Sequence, residues 1–395
     1  MARSAQHRSS GFAWMAVMAG LFVLLGTAIA SQAQTFTILH TFTGGSDGDE
    51  PTAGLSMDRA GNLYGTAAYG GSQNCTYGRG ACGTVYKLER KNSSWIFYTL
   101  YEFTGPDGAN PEARVIIGPD GNLYGTTTNG GAARNGTVFR LQPPPSTCKS
   151  YSCPWTETVL HSFQGGSDGA GPAYGDLTFD QAGNIYGTTP GGGSHQNGTV
   201  YELSPAGSSW SETVIYDVDC LNCIAPYAGV IFDNAGNLYG TTSGGGGGDG
   251  TVYELTHSAS GWSGQTIYNI PFPGGAYGGL IFDSSGNLYG ITAFNPTVYE
   301  LSPSNGSWTY NALYTFSAYG VVTQLAMDAA GNLYGTLIDG TPEVFRLTPS
   351  GGQWTLTGFN GSAGEKPYSN VIFDASGNLY GTASYDPSCV WEITP

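Results

Sequence analysis

Apolar and polar positions alternate along most of the chain in short runs of four to eight residues, broken by Gly, Pro, Ser, Asp and Asn. Gly-Thr-Val-Tyr-Glu-Leu at 198–203 and the segment Trp210–Val218 show the period of two expected of a half-buried strand. Nothing after the first 35 residues keeps the 3.6 spacing of a helix. The pattern also recurs. Gly-Asn-(Leu/Ile)-Tyr-Gly stands at 61–65, 121–125, 183–187, 236–240, 286–290, 331–335 and 377–381, seven copies spaced by 60, 62, 53, 50, 45 and 46 residues. A period of this size marks a repeat architecture whose units bury their apolar faces only against one another.

Residues 172–218 show what one unit contains. Tyr174–Asp180 reads as a first strand, Asn184–Thr189 as a second, 198–203 as a third and Trp210–Val218 as a fourth. Gln181-Ala182-Gly183, a Gly-rich loop at 190–197 and the run from Ser204 to Ser209 supply the turns. The third strand recurs at 83–88, 136–141, 250–255, 296–301, 342–347 and 390–393. The fourth recurs at 95–103, 155–163, 262–270 and 308–316, and in shortened form at 354–359. Seven such units predict an all-β, seven-bladed β-propeller of four-stranded blades. Phe36–Phe42 reads as a fourth strand with no blade before it, and Val390–Ile393 as a third strand with no fourth after it. The ring is therefore expected to close by the N-terminal strand completing blade 7, which leaves no raw edge.

With these residues in place, a resemblance can be stated. The pattern Asp-x-x-Gly-Asn-Leu-Tyr-Gly-Thr-Thr, then Gly-Gly, Gly-Thr-Val-Tyr-Glu-Leu, Trp and Leu-Tyr-x-Phe, over residues 36–395, resembles the Gloeo/Verruco (GloVer) tandem repeat of exported bacterial proteins. Its Asp-x-x-Gly-Asn-Leu-Tyr hairpin is also similar to that of NHL-type propellers. The resemblance implies an extracellular location, often with a C-terminal sorting anchor, although this sequence stops at the last strand with no hydrophobic tail. It implies no established activity, while some NHL-type propellers are metal-dependent hydrolases or lyases.

Composition narrows the partners. The 395 residues carry 13 Lys and Arg against 29 Asp and Glu, a formal net charge of −16, which excludes nucleic acid and anionic membrane surfaces as natural partners. Arg3 and Arg8 precede an apolar run, Phe12–Ala30, and the small residues Ala28, Ala30, Ser31 and Ala33 follow. That is the order of a secretory signal peptide over residues 1–33, with an uncleaved anchor as the other reading. Cleavage would leave residues 34–395 as one secreted or envelope domain without a membrane span, expected to be monomeric. Cys75/Cys82, Cys148/Cys153 and Cys220/Cys223 are spaced as loop-stapling disulfides, and Cys389 stands apart from these pairs. The Cys-Leu-Asn-Cys spacing at 220–223 also admits a redox or zinc reading, but no second such pair exists.

Residues repeated in every blade are expected to be structural. Asp58, Asp180, Asp233, Asp283, Asp328 and Asp374 open the turn into the second strand, and Tyr64, Tyr124, Tyr186, Tyr239, Tyr289, Tyr334 and Tyr380 should pack between blades. His40 and His161 take the outer-strand slot held elsewhere by Tyr, and are read as structural too. A site is expected where the blades differ. The separation from the second-strand Tyr to the third-strand aromatic is 22, 15, 15 and 14 residues in blades 1–4 but 10, 11 and 11 in blades 5–7. The taller half carries Asp47, Asp49, Asp107 and Asp168, either as solvated turns or as weak candidate ligands for Ca²⁺, the one cofactor considered. Four residues before the Asp that ends each first strand, or before Gly118 in blade 2, stand Gly54, Arg114, Asp176, Gly229, Gly279, Gln324 and Asn370. Their neighbours at odd spacing are apolar, so period two turns this varied set toward the channel. Arg114, Asp176, Gln324, Asn370 and the loop residue His195 are the candidate ligand contacts, with an Arg114–Asp176 ion pair as the plainer alternative for those two. The expected function is non-enzymatic binding of an extracellular glycan or protein through one face. The alternative is a metal-dependent hydrolase or lyase at the central channel. No catalytic residue is assigned, because no inner-strand position carries His and no Gly-x-Ser-x-Gly occurs.

Overall fold

The computed structural model describes residues 34–77, 81–145, 153–218, 225–244, 250–271, 275–293, 295–317, 324–338, 343–359, 367, 369–385 and 387–394. The chain divides into two units, 1–33 and 34–395, and the expected signal peptide lies outside the described residues. The second unit is seven antiparallel sheets of four strands each, arranged as the blades of a ring. Blade 3 is representative, with strands Thr178–Phe179, Ile185–Thr189, Thr199–Ala206 and Ser209–Asp217 paired in chain order. Ring closure is as expected. Thr35–Thr41 pairs antiparallel with Cys389–Thr394, placing Phe36 against Ile393 and His40 against Val390, and so completes blade 7.

The second strand of each blade is buried along its whole length, because a neighbouring blade covers each face. The third strand is buried at its inner end and exposed at its outer end, as in Thr199–Ala206. The core therefore lies between blades. Tyr186 and Val200 of blade 3 pack with Val230, Leu238, Tyr253 and Leu255 of blade 4 in one such layer.

The repeated Asp is a turn residue. Asp180 Oδ1 accepts the backbone N–H groups of Ala182 and Asn184, each at 2.8 Å. Its Oδ2 accepts Asn184 Nδ2 at 2.8 Å and the Tyr186 hydroxyl at 3.2 Å. The Tyr186 ring then meets Phe232 and Trp262 of blade 4 edge-on, at 5.1 and 6.0 Å between centroids. The glycine after it makes room within its own sheet. Gly187 pairs with Tyr201 in its own sheet, and a Cβ there would run into the Tyr201 ring lying across the strand.

One element differs from expectation. The first strand, expected over 174–180, is reduced to Thr178–Phe179. An innermost strand has a neighbour on one side only, so its N-terminal half is free to leave the ladder and bond across to another blade. Cys75 and Cys82 form a disulfide across 5.4 Å between Cα atoms, inside the longest loop of blade 1. Cys153 is disulfide-bonded, while Cys148, Cys220 and Cys223 lie outside the described residues. Among the described residues no helix is long and apolar enough to cross a membrane.

Candidate functional site

The segments that leave the ladder line a cavity of about 380 Å³ at the centre of the ring, to which all seven blades contribute. Five of them are held by a threonine of the blade before them in the ring. The second-strand threonine Thr66 donates to Ala113 O of the next blade at 3.0 Å. Thr188 reaches Ala228 O, Thr241 reaches Gly278 O, Thr336 reaches Ser369 O and Thr382 reaches Ala53 O, all between 2.9 and 3.1 Å. These bonds satisfy buried carbonyls and fix the direction of the residue that follows, which is the varied position.

The varied positions meet as one ring. Gly54, Arg114, Asp176, Gly229, Gly279, Gln324 and Asn370 all line the cavity. Three of the seven positions are glycine, for a steric reason. A Cβ on Gly54 would overlap Asn370 Oδ1, one on Gly229 would overlap Asp176 O, and one on Gly279 would stand 3.0 Å from Gln324 Nε2. Arg114 and Asp176 form an ion pair at 2.6 Å, partly exposed on both sides. Arg114 Nε is nevertheless buried with no hydrogen-bond partner. The ion pair of the plainer alternative is thus present, and it still leaves a donor unused beside the cavity. His195 stands elsewhere. It lies on the exposed loop between the second and third strands of blade 3, with Ser194 Oγ at 3.1 Å and Asp217 Oδ1 at 3.8 Å.

Three further lining residues were not anticipated. Tyr174, Tyr227 and Tyr277 come from blades 3, 4 and 5 and stand two residues before the varied position. Tyr227 stacks on Tyr277 at 5.5 Å and 25°, and Tyr174 follows at 6.5 Å from Tyr227. They form a row of aromatic rings along one side of the cavity. Extending the same period of two by one step would have found them. That step reads Thr52, Glu112, Tyr174, Tyr227, Tyr277, Val322 and Tyr368 around the ring, the last two outside the described residues.

Tyr174 is strained. Its φ is +54°, a region that a bulky side chain rarely occupies. Gly175 N–H donates to Ala173 O across it, which makes the segment a γ-turn of the uncommon positive-φ form. The distortion coincides with a failed inter-blade bond. Thr126, whose counterparts in five other blades hold the next segment, has its buried hydroxyl without a partner. A strained backbone and an orphaned hydroxyl at one place in a regular repeat mark a position held against local preference. Tyr174 remains 51% exposed in that position.

The cavity also contains Glu112. Burial pushes its carboxyl above the usual range, Thr128 Oγ1 opposes this with a 2.8 Å hydrogen bond, and Glu50 adds to the rise. The acids Asp47, Asp49, Asp107 and Asp168 do not converge with it or with one another. Asp47 holds Thr43 and His40, and Asp49 accepts Ser388 Oγ at 2.8 Å and the N–H of Glu50. Asp107 accepts the Tyr101 hydroxyl at 2.6 Å, and Asp168 lies 3.1 Å from His161 Nε2. Each is tied to its own blade junction.

Comparison with known proteins places this geometry. The Gloeobacter/Verrucomicrobia repeat matches residues 10–153 and 150–343. No curated protein matches the sequence. Among solved structures, selenomethionine-substituted virginiamycin B lyase from Staphylococcus aureus superposes with a TM-score of 0.61 at 14% identity, covering 92% of this chain and 99% of that one. A putative 6-phosphogluconolactonase from Bacteroides uniformis gives 0.53 at 14% identity, covering 78% of this chain and 83% of that one. At such identities the similarity is one of fold.

Proposed function

The chain belongs to the Gloeobacter/Verrucomicrobia repeat family, and from that premise we propose that it is an exported, non-enzymatic propeller that binds a neutral glycan at the channel mouth. The observation that carries the proposal is the row Tyr174–Tyr227–Tyr277 beside a ring of hydrogen-bonding groups. Sugars present an apolar ring face and an edge of hydroxyls. Tyrosine rings take the face, while Arg114, Asp176, Gln324 and Asn370 offer donors and acceptors to the edge. The cavity of about 380 Å³ falls within the range of small-ligand sites, roughly 300–1,000 Å³. A net charge of −16 favours neutral over anionic glycans. Export is supported by the Cys75–Cys82 disulfide, a feature of oxidising compartments.

An array of neutral oligosaccharides tests the proposal. The native protein should bind a subset, and Tyr227→Ala should weaken binding at least about tenfold, near 1.4 kcal/mol, with unchanged thermal unfolding. Binding to no neutral glycan, or binding indifferent to Tyr227→Ala, would contradict it.

A second reading rests on Glu112. A half-buried carboxyl with a raised pKa in a cavity suits a general base, and the superposed enzymes include a lyase and a putative lactonase. Asp176 is the other carboxylate of the described lining and is engaged by Arg114, which leaves too few ligands there for a metal-dependent version. Turnover of virginiamycin B or a sugar lactone, abolished in Glu112→Gln, would replace the binding reading.

A further inference from the structure

Away from the channel, three successive blade junctions are built to one plan. A side chain on the fourth strand of one blade touches an Asp in the loop leading to the next, and both face the fourth strand of that next blade. At the junction of blades 7 and 1 the three residues are His40, Asp47 and Phe97, with the imidazole 3.2 Å from Asp47 and stacked on Phe97 at 3.8 Å. At the junction of blades 1 and 2 they are Tyr101, Asp107 and Glu157. At the junction of blades 2 and 3 they are His161, Asp168 and Glu212. Among the described residues only this last junction combines an imidazole with two carboxylates.

We propose that His161, Asp168 and Glu212 bind a divalent transition-metal ion of the Zn²⁺ and Co²⁺ class, which ties blade 2 to blade 3. One ligand atom from each residue lies within 4.8 Å of the others. Bonds of about 2.0–2.2 Å at tetrahedral angles place ligand atoms roughly 3.3–3.6 Å apart; His161 and Asp168 already stand at 3.1 Å, and side-chain movement on the order of 1 Å brings Glu212 into the set. The elements that carry the ligands are well fixed. A one-residue bulge, between the Phe139–Val159 and Val138–His161 pairs, re-aims His161. Asp168 ends the short 3₁₀ turn Gly166–Asp168, and Glu212 sits in the fourth strand Ser209–Asp217. An independent observation points to a ligand. Glu212 Oε1 is buried with no hydrogen-bond partner, and its charged neighbour is another carboxylate. A cation between them would satisfy that oxygen and remove the repulsion.

The donor set decides the class of ion. One nitrogen and two carboxylates suit borderline metals such as Zn²⁺, Co²⁺ or Mn²⁺, whereas Ca²⁺ prefers six to eight oxygens. His161 and Asp168 remain 19% and 18% exposed, so the ion could reach the site from solvent and keep water in its open positions. The neighbouring junctions, built from the same plan without this triad, also supply conservative substitutions.

Tag-free protein, stripped with chelator and dialysed, should be titrated calorimetrically with ZnCl₂ and followed by visible absorption with CoCl₂. The native protein should bind one equivalent of Zn²⁺ in the micromolar range or tighter, and Zn²⁺ should raise its thermal midpoint. His161→Tyr, which copies Tyr101, and Glu212→Phe, which copies Phe97, should each weaken binding at least tenfold and abolish the cobalt spectrum. His40→Tyr should leave both unchanged. If the native protein binds no better than Glu212→Phe, the site does not exist and Glu212 simply holds a proton against Asp168. Equal affinity in all the variants would place the ion elsewhere, for example at His195 and Asp217, and would overturn the proposal as well.

Discussion

Tyr174 holds a backbone conformation that its own chemistry disfavours, and it does so at the mouth of the central cavity. Strain of this kind costs on the order of 1–3 kcal/mol. Asn is the non-glycine residue that best tolerates positive φ. Tyr174→Asn should therefore raise the thermal midpoint by a few degrees in a calorimetric scan while weakening glycan binding on the array. A midpoint that falls would remove strain from the account. At this scale the sequence was only partly informative. Arg114, Asp176, Gln324 and Asn370 could be placed on the channel because period two and apolar neighbours define a face. Tyr174, Tyr227 and Tyr277 lie one step further along the same period and could be placed on the same face, but whether their rings stack on one another or on a blade leaves the same letter. His195 lies on an exposed loop outside the cavity lining, and a loop has no period from which its direction could be read.

At the scale of the element, the turn and the blade junction make separate predictions. Asp328 binds two backbone N–H groups, the Asn332 amide and the Tyr334 hydroxyl. Burial raises its carboxyl, but these hydrogen bonds win and hold it below the usual range. A depressed pKa gives stability that is present above the ordinary carboxylate range and lost as pH falls through the folded value. Asp328→Ala should cost roughly 1–2 kcal/mol in urea unfolding at pH 7 and less near pH 3. Glu157 has the opposite sign. Burial, and then Asp107, push it up to about 8 from an ordinary value of 4.5. Its favourable contribution is complete below pH 4.5 and disappears as pH rises through about 8. Glu157→Gln should match the native protein at pH 4 and exceed its thermal midpoint at pH 9. Equal midpoints at both pH values would mean that the carboxyl is not shifted. The hairpin role of the repeated Asp was legible from Asp-x-x-Gly-Asn alone, since its partners are all within six residues. The Tyr101–Asp107–Glu157 and His161–Asp168–Glu212 junctions were not, because Glu157 and Glu212 lie some 44 to 50 residues beyond the Asp and meet it only through ring geometry.

For the whole molecule, closure by the N-terminal strand is the organising fact. The seven-fold period and the complementary strands at the two ends made the ring legible, because a closed array of identical units has few solutions. Deleting residues 34–43 removes the partner of Cys389–Thr394 and exposes its edge. The deletion should aggregate or unfold at least ten degrees lower by light scattering and calorimetry, and an unchanged midpoint would refute closure. What the ring does for function is to bring seven corresponding positions, four polar and three glycine, to one axis, with the blades' shared Asp, Tyr and Gly serving only to hold them there. The most direct test of that claim is a crystal structure of the protein with an array-selected neutral oligosaccharide. The account predicts a sugar ring stacked on Tyr227 or Tyr277, with hydroxyls bonded to Arg114 or Asn370. A sugar seated on the outer loops or on the opposite face of the ring would contradict it.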